Sequence, residues 1–181
     1  IKVSSWMGGD RDGNPNVTSK TTMEVVLLSR WEAASLYEKE FTKLIQSLSL
    51  FDCSKKIKKQ VGKTWEPYRV FLRPIRNKLQ QTQREIEDAL LEKREPKKQL
   101  LVNSINEILD PLNEVYNSLC SVKCDIIANG LVLDIIRLSH TFGLNLAKLD
   151  IRQESSRHTS LLNTICKKLE LKEYTKLSKQ K

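Results

Sequence analysis

The 181-residue sequence has few of the residues that define secreted, membrane or metal-rich proteins. Its four cysteines are scattered without the dense spacing of disulfide-linked domains, which indicates a reducing compartment. No apolar run approaches the roughly 20 residues that a membrane-spanning helix needs, and no signal peptide opens the chain. These absences predict a soluble protein of the cytoplasm.

Two cysteines, Cys120 and Cys124, lie four positions apart on a predicted helix, where they could hold a metal ion. No second pair follows, and Lys123 and apolar residues surround them. Free cysteine usually behaves as a small buried apolar residue, so we interpret both as structural.

The composition is that of a folded globular protein with a marked excess of positive charge. The hydrophobic fraction is 39%, the charged fraction 29% and the formal net charge +9. A positive charge suggests nucleic acid, an anionic membrane or an anionic small substrate as partner, and charge alone does not choose between them.

The pattern along the chain predicts a mostly α-helical protein with two short β-strands. We assign residues 1–18 to a strand and a glycine-rich loop, residues 19–143 to a helical region, and residues 144–181 to a strand, a polar loop and a helix. Helix starts are indicated by capping boxes or an early proline. These starts are at Thr21 with Glu24, at Pro67, and at Ser104 with Glu107. Gly143 ends the last helix of the helical region, and the Ser155-Ser156 pair is predicted to cap the final helix.

Each predicted strand ends in a large side chain on its polar face. The first, residues 1–6, ends at Trp6 before a loop that holds half of the six glycines; the second, residues 144–152, ends at Arg152. In the second strand Ala147, Leu149 and Ile151 form the apolar face. In barrel-type α/β enzymes the site lies beyond the carboxyl ends of parallel strands, so these two ends are the candidate site.

Alternate positions of the glycine-rich loop carry Asp10, Asp12 and Asn14, as the first ligands of a calcium loop would. Pro15 stands where that loop requires glycine, and no glutamate closes it at the twelfth position. We interpret the loop as braced by its own carboxylate-to-backbone contacts and by Arg11, without a metal.

Two blocks of sequence resemble phosphoenolpyruvate carboxylases. They are Trp-Met-Gly-Gly-Asp-Arg-Asp-Gly-Asn-Pro at residues 6–15 and Leu-Asp-Ile-Arg-Gln-Glu-Ser-Ser-Arg-His-Thr at residues 149–159. Weaker similar segments lie between them at residues 66–70, 76–79 and 127–130. The order and separation of the blocks also fit, so the chain resembles an internal fragment of the helix-rich, TIM-like α/β barrel of these enzymes.

The resemblance implies that phosphoenolpyruvate and bicarbonate are converted to oxaloacetate and phosphate through carboxyphosphate and the enolate of pyruvate. This reaction fixes carbon and supplies the tricarboxylic acid cycle. By matching position, Trp6 would form an apolar wall against the methylene carbon, and Arg152 would bind the transferred phosphate. Arg76 stands where plant-type members bind a sugar-phosphate activator. The family also implies a tetramer and Mg²⁺ or Mn²⁺, with metal ligands outside this chain.

Several catalytic parts of the family are absent from the sequence. The only histidines, His140 and His158, do not lie in the family's catalytic histidine motif, and the mobile loop and metal-binding acids are missing. We therefore assign no catalytic residue and predict no turnover by the isolated chain. The alternative is a helical module that binds nucleic acid or a protein partner through residues 55–63 and 93–98. Neither lysine cluster is interleaved with aromatic residues, so we expect neither nucleic acid nor a membrane as partner.

Overall fold

The computed structural model describes residues 4–176, of which 66% are helical, with two short parallel strands. The prediction of a mostly helical chain is confirmed. The described residues form two compact units, a helical unit of residues 26–148 and a smaller unit of residues 4–25 and 149–176. The first three residues of the predicted opening strand, and residues 177–181, lie outside the described part. Within that part, no helix has the length and apolar character needed to cross a membrane.

The helices follow one another with short connections. They are α1 Ser19–Ser47, α2 Lys55–Val61, α3 Pro67–Leu91, α4 Asn106–Ser121, α5 Asp125–Ile127, α6 Leu133–Phe142 and α7 Ser155–Lys168. Short 3₁₀-helices occur at Lys98–Leu100 and Tyr174–Lys176, and a short π-helix occurs at Ala128–Val132. The strands are β1 Ser4–Ser5 and β2 Lys148–Leu149.

The core of the helical unit is built from the apolar faces of its long helices. Side chains recurring at three- and four-residue spacing are completely or almost completely buried. They include Phe41 and Leu44 of α1, Leu48 just after α1, Tyr68, Leu72 and Leu79 of α3, and Ile108, Leu112 and Leu119 of α4. Each such side chain stabilises the fold by about 1.5–3 kcal/mol through removal of apolar surface from water. The one polar group at the end of Tyr68 is satisfied by a 2.9 Å hydrogen bond between its hydroxyl and that of Ser118.

Helix α1 begins earlier than its predicted capping box. The backbone N–H of Thr21 donates to Oγ1 of Thr18 at 3.2 Å, so Thr18 provides the cap and Thr21 lies inside the helix. The prediction of a box at Thr21 was therefore wrong by one helical turn. The reason is that the sequence offers two threonines three apart, and either can accept a bond from an N–H two or three residues later.

The second capping box and the glycine stop are confirmed. Oε1 of Glu107 accepts the backbone N–H of Ser104 at 3.1 Å, and Oγ of Ser104 accepts that of Asn106 at 3.2 Å. At the end of α6, Gly143 adopts φ 63°, and its N–H donates to the Ser139 carbonyl at 3.0 Å. Residues with a Cβ rarely adopt this left-handed backbone, which is why the helix ends at glycine.

Three other predictions about local structure were wrong. Ser155 and Ser156 lie inside α7, and Glu154 occupies the N-cap without a side-chain hydrogen bond. The second strand is two residues long rather than nine, and Ile151 of its predicted apolar face is 64% exposed. Cys120 and Cys124 do not share a helix, because α4 ends at Ser121 and Lys123 turns the chain with φ 61°.

A buried carboxylate holds the basic segment that follows α3. Oε1 of Glu85, in a side chain only 5% exposed, accepts Nη1 of Arg94 at 2.5 Å and the backbone N–H of Lys97 at 2.8 Å. The hydrogen bond from Arg94, together with that from Lys97, keeps the pKa of the Glu85 carboxyl below its ordinary value. The charged form of Glu85 is therefore favoured in the folded protein.

We expect Glu85→Gln to lower the melting temperature of the purified chain at pH 7. A carboxylate with a lowered folded-state pKa stabilises the fold fully above its unfolded pKa of about 4.3, and this contribution disappears as pH falls through the folded-state pKa. The difference between the two proteins should therefore shrink on acidification, as measured by thermal unfolding at pH 7 and at low pH. Glu87→Gln, an exposed glutamate on the same helix, serves as the control. A constant difference at all pH values would contradict this assignment.

Candidate functional site

Main-chain hydrogen bonds join the glycine-rich loop to the segment that follows β2. The N–H of Asp150 donates to the Ser5 carbonyl at 2.8 Å, and the N–H of Arg152 donates to the Gly9 carbonyl at 2.9 Å. The carbonyl of Arg152 in turn accepts the N–H of Arg11 at 3.0 Å. The pairing is parallel and continues past both strands. Both strands therefore end at the same edge, hereafter the strand edge, which carries Trp6 and Arg152.

A tight turn immediately after β1 leaves the side chain of Trp6 in solvent. Its carbonyl accepts the N–H groups of Gly9 and Asp10, both at 3.0 Å, and its indole is 61% exposed. Gly8 completes the turn with φ 76°, and a Cβ there would lie 2.5 Å from Cγ2 of Val25. The turn thus requires glycine for both its backbone conformation and its space.

Gly9 is the residue at which the two segments approach most closely. It is buried, and a Cβ built on it would lie 2.2 Å from the carbonyl oxygen of Asp150. No side chain can be accommodated without moving main chain on one side. The glycine therefore permits the hydrogen bond between its own carbonyl and the N–H of Arg152.

We expect Gly9→Ala to separate the two segments of the strand edge. Overpacking typically costs about 1–3 kcal/mol, and a cost at the upper end is expected because the obstructing atom belongs to the backbone. Amide hydrogen exchange of the purified chain should become faster at Asp150 and Arg152. Gly13→Ala is the matched control: its Cβ would meet nothing within 4 Å, so it introduces backbone strain at φ 66° without a clash. Equal exchange at Arg152 in both variants would contradict the role of Gly9.

The loop is held to α1 by Arg11 and a buried threonine. Nη2 of Arg11 donates to Oγ1 of Thr22 at 2.7 Å, and the Thr22 hydroxyl lies 2.8 Å from the Gly8 carbonyl that it can donate to. Thr22 is only 7% exposed. The sequence prediction named Arg11 as a brace but missed Thr22, whose only signal was its position in the first turn of the helix.

Two polar side chains of the loop accept hydrogen bonds from the loop's own backbone. Oδ1 of Asp10 accepts the N–H of Asp12 at 3.1 Å, and Oδ1 of Asn14 accepts the N–H of Asn16 at 3.0 Å. Among residues 4–176, no three histidine, cysteine, aspartate or glutamate side chains are grouped as metal ligands would be.

The side chain of Arg152 projects into solvent beside this loop. Within the described residues its guanidinium makes no hydrogen bond or ion pair, and neither Asp150 nor Glu154 neutralises it. Asp150 instead accepts a 3.2 Å hydrogen bond from the Ser4 hydroxyl. A shallow concavity of about 170 Å³ borders Trp6, Asp10 and Asp12. Arg152 is not among the residues that line this concavity.

The remaining candidates lie elsewhere in the fold. Arg76 is half-buried on α3, and its Nη2 donates to Oδ1 of Asn77 at 3.0 Å. His140 is exposed in the last turn of α6, and His158 is exposed in the first turn of α7.

Comparison with known proteins decides the family. The family model of phosphoenolpyruvate carboxylase matches residues 1–181. The chain belongs to the phosphoenolpyruvate carboxylase family. The phosphoenolpyruvate carboxylase of Tolumonas auensis is 42% identical over 174 residues, which cover 96% of this chain and 20% of the relative. The phosphoenolpyruvate carboxylase of Hahella chejuensis is 42% identical over 180 residues, which cover 99% of this chain and 20% of that relative.

The chain spans about a fifth of the length of these phosphoenolpyruvate carboxylases. The prediction from residues 6–15 and 149–159 is confirmed, both for the family and for the partial coverage. The match does not favour the alternative of a helical binding module. The two blocks that carried the prediction are also the two segments that the main-chain bonds of the strand edge join.

Proposed function

We propose that the chain forms part of an enzyme that carboxylates phosphoenolpyruvate with bicarbonate to give oxaloacetate and phosphate. The observation that carries the proposal is the strand edge. From its two segments it presents an exposed indole and a guanidinium that has no ion-pair partner among residues 4–176. A cation and an apolar ring on neighbouring backbone suit a substrate with a phosphate at one end and a methylene carbon at the other.

In this proposal Arg152 binds the phosphate group that is transferred from phosphoenolpyruvate to bicarbonate, and it continues to bind that group in carboxyphosphate. A guanidinium remains charged at any physiological pH and offers paired donors to phosphate oxygens. Because no carboxylate in the described residues neutralises Arg152, the charge is available to a ligand. The main-chain bonds on both sides of the residue fix its position at the edge.

Trp6 shields the enolate of pyruvate in the same proposal. Loss of phosphate from phosphoenolpyruvate leaves a nucleophilic carbon that water can protonate, and protonation gives pyruvate instead of oxaloacetate. An apolar ring against that carbon excludes water until the carbon attacks carbon dioxide. The exposed indole of Trp6 is free to make this contact.

The rest of the reaction requires parts that the described residues do not contain. We propose that residues 1–18, 19–143 and 144–181 contribute to a TIM-like barrel and that other parts of the enzyme hold Mg²⁺ or Mn²⁺ and the acid–base group. We also propose a cytoplasmic homotetramer, without nucleic acid or membrane partners. In this proposal the Asp10 carboxyl and the Asn14 amide stabilise the loop through its own backbone.

The test is a segment chimera, defined as the Tolumonas auensis enzyme in which residues 1–181 of this chain replace the matching segment. The chimera should form oxaloacetate from phosphoenolpyruvate and bicarbonate, whereas the isolated chain should not. Oxaloacetate is measured in an assay coupled to malate dehydrogenase. A chimera with the melting behaviour of the parent enzyme but without carboxylation would refute the proposal. Turnover by the isolated chain would refute its inactivity.

Arg76 is proposed to contribute to a sugar-phosphate activator site between subunits. Only Asn77 contacts its guanidinium terminus within the described residues, and the Nε is buried without a partner. In a chimera that responds to a sugar phosphate, Arg76→Ala should weaken activation while leaving the unactivated rate unchanged. Arg84→Ala, an exposed arginine on the same helix, is the control. Undiminished activation would exclude Arg76 from the site.

A further inference from the structure

A groove with two exposed aromatic rings lies in the helical unit, within the residues that connect α1 to α3. Its volume is about 490 Å³, in the range of roughly 300–1,000 Å³ that is usual for small-molecule pockets. We call it the aromatic groove. The residues that line it include Phe51, Cys53, Lys58, Lys63, Trp65 and Pro67.

The two rings leave an open aromatic face. The centroids of Phe51 and Trp65 are 5.2 Å apart and the rings are tilted by 39°, so they contact each other. Trp65 nevertheless remains 82% exposed and Phe51 55% exposed. A third planar ring can therefore stack on the indole without displacing either side chain.

The polar groups around the rings are mainly cationic. Lys58 and Lys63 line the groove with a single acid, Asp52, and neither lysine forms an ion pair within residues 4–176. Lys55 and Lys59 add further positive charge on α2. Lys56, by contrast, is paired with Glu114. The sequence prediction described this cluster as lacking aromatic neighbours, but the fold brings in one ring from each side of α2.

We propose that the aromatic groove binds a small aromatic anion, with its ring against Trp65 and its charged group at Lys58 and Lys63. The open indole face provides stacking and the lysines provide charge complementarity, which together select against neutral rings and against anions without a ring. This site is separate from the residues of the proposed carboxylation site, so the two proposals can fail independently.

The binding test uses isothermal titration calorimetry on the segment chimera. Indole-3-acetate and phenyl phosphate distinguish a carboxylate from a phosphate as the preferred anion. Indole-3-acetamide keeps the ring without the charge, and acetate keeps the charge without a ring. We expect at least one of the two aromatic anions to bind. Indole-3-acetamide and acetate should bind at least about tenfold more weakly than that anion, because the first lacks the charge-assisted bond and the second lacks the stacking contact.

Variants locate the bound ligand. Trp65→Ala and Lys63→Ala should each weaken binding by about tenfold or more, and both replace exposed side chains, so folding is preserved. Lys59→Ala, an exposed lysine of α2 outside the groove, should leave affinity unchanged. Binding that survives Trp65→Ala and Lys63→Ala together would overturn the assignment, because the ligand would then occupy another place.

Cys53 gives a second readout that does not depend on affinity measurement. Burial raises the pKa of its thiol, an effect opposed by the nearby charge of Lys58. Alkylation of Cys53, followed by mass spectrometry, should be slower when the ligand is bound, whereas alkylation of Cys120, outside the groove, should not change. If neither aromatic anion binds and Cys53 is already protected in the chimera, the groove is filled by the rest of the enzyme and the proposal is wrong.

Discussion

Replacing Arg152 with alanine in the segment chimera is expected to lower kcat/KM for phosphoenolpyruvate by about 100-fold. Loss of a charge-assisted hydrogen bond removes about 1.5–3 kcal/mol. The upper end applies because no carboxylate among the described residues neutralises the guanidinium in the absence of substrate. The substitution leaves the strand edge intact, since only main-chain atoms of Arg152 take part in the pairing.

A graded series separates the role of Arg152 from a general effect of charge. Arg152→Lys keeps the positive charge but loses the paired donors, so its rate should lie between those of the parent and Arg152→Ala. Arg137→Ala removes an exposed arginine of α6 whose guanidinium contacts Asp134, and its steady-state rates should equal those of the parent. If Arg152→Ala also retained the parental kcat/KM, the phosphate would have to be bound elsewhere.

Replacing Trp6 with alanine should change the product as well as the rate. Without the indole, water can reach the enolate, so the ratio of pyruvate to oxaloacetate should rise. Oxaloacetate formation should fall by about 100-fold, the loss expected when a reacting group is no longer held in position. Lactate dehydrogenase and malate dehydrogenase assays measure the two products separately.

The control variants distinguish shielding from folding. Trp6→Phe retains an apolar ring and should give an intermediate product ratio. Tyr174→Ala removes another exposed aromatic side chain of the smaller unit and should leave the ratio unchanged. A fall in rate at a constant product ratio would mean that Trp6 positions the substrate but does not exclude water.

Features determined by neighbours in sequence were predictable. Pro67 at the start of α3, the reciprocal bonds of Ser104 and Glu107, and Gly143 after α6 depend on residues within one helical turn. The amphipathic spacing of a long helix likewise indicates which of its faces is buried. The two family blocks lie in the segments that pair at the strand edge, and the roles of Trp6 and Arg152 there stay predictions.

Features determined by distant contacts were not predictable. The extent of β2 depends on how much of the opposite segment is available to pair, and an alternating pattern does not contain that information. The need for glycine at position 9 arises from the carbonyl of Asp150, far away in sequence. The aromatic groove depends on the contact between Phe51 and Trp65, which lie on either side of α2 in the sequence.

The pairing at the strand edge also has a consequence for the order of folding. Ser4 and Asp150, which it brings together, are 146 positions apart, whereas the helices form from contacts within a few residues. Closing a loop of this length costs conformational entropy before any compensating bond is made. We therefore expect the amides of Asp150 and Arg152 to gain protection from exchange later than those of α3. Nascent chains would accordingly acquire their helices first and the strand edge last.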